Sequence, residues 1–215
     1  MKISRRDFLE YTTTIALTMG SGVAFFGGST SSANAQDLST LMEPGTLGEM
    51  WLGDENAPVT VIEYASMTCP HCKSFHENIL PALKEKYIDT GKVRMIFREF
   101  PFDPRAAAAF MLARCAPKEQ YFPMIDILFK QQSIWSRAED PVPPLLNIAK
   151  LAGFTEESFN ACLRNQKILD GVMEVQKRAQ DDYGVNSTPS FFINGSKYTG
   201  NYTVEDLSKA FDSEL

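Results

Sequence analysis

A chain of 215 residues, 44% hydrophobic and 22% charged, has the composition of a soluble globular protein with one or two real cores. Its formal net charge of −6 argues against a nucleic-acid-binding surface and against attraction to anionic membranes. No basic run interleaved with aromatics, internal repeat or low-complexity tract is present.

The first 35 residues read as an export signal. Lys2, Arg5 and Arg6 form a basic start, an uncharged stretch runs from Tyr11 to Ser32, and Ala33-Asn34-Ala35 offers a cleavage site before Gln36. The run Ser4-Arg5-Arg6-Asp7-Phe8-Leu9-Glu10 resembles a twin-arginine signal, with Glu10 where such signals usually carry Lys. An ordinary secretory signal and an uncleaved anchor are the alternatives; without a cysteine near the cleavage site, a lipid anchor is not expected. All four cysteines, Cys69, Cys72, Cys115 and Cys162, lie downstream. An oxidising compartment permits disulfides among them, and a periplasmic location follows from the signal.

Residues 36–57 mix Pro, Gly, Asp and Asn with few apolar positions and read as a lead-in arm. Val59-Thr60-Val61-Ile62-Glu63-Tyr64-Ala65, β-branched and bounded by Pro58, predicts a strand. Cys69 then stands at an N-cap position, and Pro70 takes the first helical position, where its missing N–H costs nothing. Phe75, Ile79, Leu80, Leu83 and Tyr87 recur at helical spacing up to Gly91, with a kink expected at Pro81. Val93 to Phe100 predicts a second strand. From residue 104 to 183 the pattern is helical, in segments 105–116, 118–131, 143–151, 155–165 and 166–183, with Gly153 as a stop and Thr155 as a cap. Strand character returns at Pro189–Ile193, followed by the hairpin signal Asn194-Gly195, Ser196–Thr199, and a last helix from about Thr203 carrying Val204, Leu207 and Phe211. The expected fold class is α/β, a sheet domain of residues 58–103 and 184–215 interrupted by an all-helical insertion of residues 104–183.

The chemistry concentrates at Cys69-Pro70-His71-Cys72. Two cysteines separated by two residues can close a small, easily broken disulfide. A helix amino terminus beside the first sulfur stabilises its thiolate, and His71 adds a donor or partial positive charge. Three other uses of the motif weigh less. A c-type haem site needs His directly after the second cysteine, where Lys73 stands. Zinc could recruit Cys69, Cys72 and His76, but there is no second C-x-x-C and His71 and His76 are the only histidines. A purely structural disulfide rarely opens a helix after a buried strand. No metal or cofactor is therefore expected.

Together, Glu63-Tyr64-Ala65-Ser66-Met67-Thr68-Cys69-Pro70-His71-Cys72, the downstream Thr188-Pro189, the helical insertion and the export signal resemble the DsbA-like thiol–disulfide oxidoreductases of the thioredoxin superfamily, over nearly all of the chain beyond the signal. The resemblance implies a thioredoxin-like fold, Cys69 as the attacked sulfur and Cys72 as the resolving thiol. It also implies a cis Thr188–Pro189 turn that offers backbone to an extended client segment. Glu63 matches a buried acid that assists proton transfer to the resolving thiol, although a strand glutamate is more often solvated. Cys115 and Cys162 stand on separate predicted helices; in an exported chain a structural or redox-tuning disulfide is expected, with two buried free thiols as the alternative. His76 is expected on the helix surface.

The leading expectation is a monomeric periplasmic thiol oxidase that passes its Cys69–Cys72 disulfide to reduced, unfolded exported proteins and is reoxidised by a membrane quinone-linked partner. An isomerase or reductase using the same residues is the alternative, since Thr188 leaves the direction of electron flow open. A peptide-holding chaperone using the groove beside Pro189 is a third.

Overall fold

Seven residues rich in β-branched side chains make Val59–Ala65 a strand, and both its faces are covered, as a central strand requires. The computed structural model describes residues 40–215; the expected export signal at residues 1–35 and its expected cleavage site lie outside them. The five-stranded sheet has the order β1-β3-β2-β4-β5, with β1 at Met50–Leu52, β2 at Val59–Ala65, β3 at Val93–Glu99, β4 at Ser190–Ile193 and β5 at Ser196–Tyr198. β2 and β3 run parallel, from Val59 opposite Val93 to Ala65 opposite Glu99. β4 pairs antiparallel with the other edge of β2 and turns into β5 through Asn194 (φ 44°) and Gly195 (φ 83°), the doubly left-handed turn that Asn-Gly adopts readily.

One expectation about the lead-in is corrected. Its described part, residues 40–57, is not simply an arm, because Met50–Leu52 adds β1 antiparallel to β3. Leu41 is fully buried, and Arg98 and Arg178 both donate to the Glu43 carbonyl oxygen. Three strand residues are too few to show alternation, so the pairing partner and not the local pattern makes this strand.

The helix after β2 breaks just ahead of Pro81, which has no N–H to give to the preceding turn and is the expected cause of a kink. α1, Pro70–Asn78, stops at Ile79 (φ −117°), and α2, Leu80–Leu83, continues into one wide π turn over Lys84–Ile88. The insertion is helical throughout: α3 Pro104–Cys115, α4 Tyr121–Lys130, α5 Gln132–Trp135, α6 Val142–Leu151, α7 Glu156–Leu163 and α8 Gln166–Asp181. Lys118–Gln120, expected within α4, form a separate 3₁₀ turn. Thr155 caps α7 reciprocally with Ser158, and α9, Val204–Asp212, closes the chain behind its cap Thr203.

Alternation along the strands divides the apolar side chains between the two faces of the sheet. Ile62, Tyr64, Ile96 and Phe192 point to one face and pack with Val175 and Ala179 of α8. Val61, Met95, Phe191 and Ile193 point to the other and pack with Leu83 of α2 and with Leu207 and Phe211 of α9. Farther along that second face a larger cluster joins Met67, Cys69, Cys72 and Phe97 to Phe110, Leu128 and Trp135 of the insertion. The cysteine pair thus sits on the seam between sheet and insertion.

Cys115 at the end of α3 and Cys162 on α7 are bonded, at a sequence separation of 47. On the chain-entropy model a loop of that length is worth about 4 kcal/mol. Replacing both cysteines by alanine is expected to lower the denaturant midpoint accordingly while leaving the Cys69 titration in place; an unchanged midpoint would show that the bond does not stabilise the insertion.

Candidate active site

The end of β2 aims the chain at the seam, and a tight turn then hands it to α1. Cys69 N–H donates to the Ser66 carbonyl oxygen (3.1 Å), and Cys69 keeps extended backbone angles (φ −77°, ψ 121°) as the N-cap, with Pro70 in the first turn. Its own side chain does not cap the helix. As a thiolate, however, the sulfur can accept from the first-turn amides, at the positive end of the helix dipole. Pro70 and His71 are exposed, Cys69 is 7% exposed and Cys72 is fully buried. Both cysteines are free thiols.

The Thr188–Pro189 peptide bond is cis, and the Thr188 carbonyl oxygen lies 3.3 Å from Cys69 Sγ. As a thiol, Cys69 donates to that oxygen. As a thiolate it accepts instead, and the fold holds its pKa down from 9.0 to about 5. The Cys72 thiol contributes most to this; burial acts in the opposite sense, and Thr188 and the Cys72 and His71 backbone amides add further hydrogen bonds. The buried Thr188 hydroxyl has no other partner among the described residues, so it is free to turn toward the thiolate. Cys72 moves the other way: burial first, then its hydrogen bond to Cys69 and the Glu63 charge push its thiol well above the ordinary value. One sulfur is prepared to leave as an anion and the other to hold a proton.

Glu63 lies fully buried on β2. Its Oε2 meets Nε2 of His76 at 2.9 Å. The expectation that His76 lies on the surface is therefore corrected. Its side chain is 3% exposed, stacked on Phe129 with ring centroids 4.5 Å apart and edge-on to Phe97. The face of α1 carrying Cys72 and His76, four residues apart, is the one covered by the insertion, which local periodicity cannot reveal.

Three further residues hold the site and carried no sequence signal of their own, apart from the Asp before Pro that marks a helix start. Gln132 of α5, buried, donates from Nε2 to the carbonyl oxygens of Met67 (2.8 Å) and Cys69 (2.9 Å). Lys73, next to Cys72, donates to the Phe129 carbonyl oxygen (3.0 Å) at the negative end of α4. Asp103 accepts from the Thr68 hydroxyl (2.6 Å) while capping α3 through the Arg105 and Ala106 amides. The insertion thus clamps both sides of the cysteine turn. Among the described residues no group of three or more His, Cys, Asp or Glu side chains is arranged to hold a metal. The arrangement suits exchange of a disulfide with an external thiol at Cys69.

Residues 45–213 match the family model described as Thioredoxin. A Rickettsia bellii protein whose name assigns it to the protein-disulfide oxidoreductases is 37% identical over 168 residues, which cover 78% of this chain. The match spans 64% of that relative's own length. A Bacillus anthracis protein bearing the name disulfide bond formation protein D is 33% identical over 171 residues, covering 76% of this chain and 77% of that one. The crystal structure of Wolbachia pipientis α-DsbA1 superposes with a TM-score of 0.75 at 34% identity, covering 81% of this chain and 94% of that chain. The chain belongs to the DsbA-like thiol:disulfide oxidoreductases of the thioredoxin superfamily.

Proposed function

We propose that this protein is a dithiol oxidase of the periplasm that donates the Cys69–Cys72 disulfide to reduced exported proteins. The observation that carries the direction of the reaction is the stabilised Cys69 thiolate, with a pKa of about 5. A fold that stabilises the reduced anion makes its own disulfide the higher-energy state, and such a disulfide is passed on rather than made.

In the reaction a client thiolate attacks Cys69 Sγ, the Cys69–Cys72 bond breaks, and Cys72 leaves and is protonated. The client is then joined to Cys69. A second client thiolate attacks the client's own sulfur, closing the client disulfide and releasing Cys69 as its stable thiolate. Two electrons pass from the two client sulfurs to the cysteine pair. Of the two client protons, one ends on Cys72 and one in solvent at neutral pH. The Thr188 backbone, whose carbonyl oxygen lies 3.3 Å from Cys69 Sγ, is placed to hold an extended client segment. Reoxidation would need an electron acceptor, and a membrane quinone-linked partner fits that role. A monomer suffices, since every group used comes from one chain.

Two assays on one preparation test this. Oxidative refolding of a reduced disulfide protein is expected to proceed, and insulin reduction by thiol reductant is expected to be weakly accelerated. Cys69→Ser is expected to lose all refolding activity. Strong insulin reduction without oxidative refolding would assign the protein to the reductases or isomerases; refolding assistance that survives Cys69→Ser would make it a peptide-holding chaperone.

A further inference from the structure

We infer that His76 completes a proton relay, running from a cleft between α1–α2 and α4 through Glu63 to Cys72, separate from the surface at which clients meet Cys69. The inference rests on the reading of Cys69–Cys72 as an exchanging disulfide.

Cys72 must gain a proton whenever it leaves Cys69, and must lose one when the disulfide re-forms. It is fully buried, and its surroundings penalise the anion, Glu63 among them. The proton therefore has to arrive with the step. Glu63 is the nearby acid, but it is itself 0% exposed and cannot exchange protons with water directly. Among the described residues its one hydrogen-bond partner is His76 Nε2, at 2.9 Å. Glu63 Oε1 and His76 Nδ1 are both buried and have no partner among the described residues. Two unpaired polar atoms at the ends of one hydrogen-bonded pair are costly as a purely structural feature. They are the open ends that a relay needs: a carboxylate oxygen at one end of the pair and a ring nitrogen at the other.

The outer end has somewhere to go. His76 forms part of the wall of a cleft of about 580 Å³, with Leu52, Leu80, Phe122, Asp126 and Lys130. Nδ1 is covered at rest, so the relay needs a small outward movement of the ring; imidazole can then take a proton at Nδ1 from water in that cleft and release one from Nε2 to Glu63, with no change in its own net charge over the cycle. The charged and titratable groups around it are Glu63 on β2, Cys72, Lys73 and Glu77 on its own helix, Lys84 after α2, and Asp126 and Lys130 on α4. The β3 residue against it is Phe97, which carries no charge. His76 acts on Cys72 only through Glu63 and is in that sense a positioning residue.

The test uses the oxidised protein and a small thiol, glutathione, followed by stopped flow across pH. Because no client is involved, the result stands even if the oxidase direction proves wrong. The wild-type reaction is expected to show a solvent deuterium isotope effect on the step that releases Cys72. His76→Phe is expected to slow that step about tenfold, a modest share of what proton transfer by a positioned group can contribute, and to flatten its pH profile while the Cys69 thiolate titration stays in place. His76→Gln distinguishes a relay from a merely structural bond, since Gln can still donate to Glu63 but cannot pass a proton through. Wild-type rate and pH profile in His76→Gln would overturn the relay. So would the absence of a solvent isotope effect in the wild-type protein, which requires no variant to fold.

Discussion

At neutral pH the dithiol form of this protein is expected to resist denaturant better than its Cys69–Cys72 disulfide form, the reverse of the usual effect of a disulfide. The cause is proton linkage. The Cys69 pKa falls from 9.0 in the unfolded chain to about 5 in the folded dithiol. A depressed pKa stabilises the fold fully above the unfolded value of 9.0, and this stabilisation is lost as pH falls through about 5. The neutral-pH gap of about two units corresponds to on the order of 2 kcal/mol, allowing for screening by solvent near the sulfur. Against it stands the entropic benefit of the Cys69–Cys72 bond, at most about 2 kcal/mol on the chain-entropy model for so short a loop and lowered by the strain of closing so tight a ring. Urea titrations of both redox forms at several pH values measure the difference directly. The dithiol form is expected to lead at neutral pH and to lose its lead near pH 5. A disulfide form that is the more stable at neutral pH, or a gap that does not move with pH, would remove the basis for an oxidising Cys69–Cys72 couple.

That linkage is partly legible in the sequence. Pro70 at the first helical position after a β-branched strand places Cys69 at a helix start, and a thiolate follows from the helix dipole. Nothing local shows that Thr188, more than one hundred residues away, lies against the same sulfur. Thr188-Pro189 by itself is only a turn signal, and the family resemblance gives it a place beside the cysteines. The same limit explains β1, too short to show a period, and the lead-in, held by arginines on β3, α3 and α8. His76 is the sharpest case. Within α1 it stands between Phe75 and Glu77, and its burial is decided by Phe129 and Phe97 from other elements. Gln132 is similar: a glutamine at a helix start gives no hint that it holds the carbonyl groups of the cysteine turn. Local spacing reports which elements form, while the residues that tune the site are those whose partners arrive from the insertion.

The insertion is tied to the end of β3 by a buried ionic group, and breaking it is expected to have the largest effect on stability. Glu99, with 0% exposure, accepts from both Nε and Nη2 of Arg114 (3.0 Å to Nη2) and from the Tyr121 hydroxyl (2.8 Å). Arg114 also donates to the carbonyl oxygens of Leu47 (3.2 Å) and Gly48 (3.1 Å), so one guanidinium joins α3 to β3 and to the lead-in before β1. Burial opposes the charge on Arg114, and Glu99 offsets that penalty; burial also holds Tyr121 well above its ordinary pKa, so it stays a neutral donor. Glu99→Ala leaves a buried cation with carbonyl partners only and a buried hydroxyl with none. The expected loss is about 3–5 kcal/mol, the range for removing one partner of a buried pair. Glu99→Gln keeps the shape and an acceptor for Tyr121, and is expected to recover part of the loss. Because Glu99 lies opposite Ala65 in the parallel ladder, and Ala65 leads directly into the turn that carries Cys69, the loosened strand end is also expected to reach the cysteine turn. Chemical denaturation of Glu99→Ala, Glu99→Gln and Arg114→Met measures the size of the effect. If Arg114→Met, which removes the cation and leaves Glu99 with Tyr121, were as stable as wild type while Glu99→Ala was not, the ion pair itself would contribute no net stability, and the cost of Glu99→Ala would be that of the orphaned charge alone.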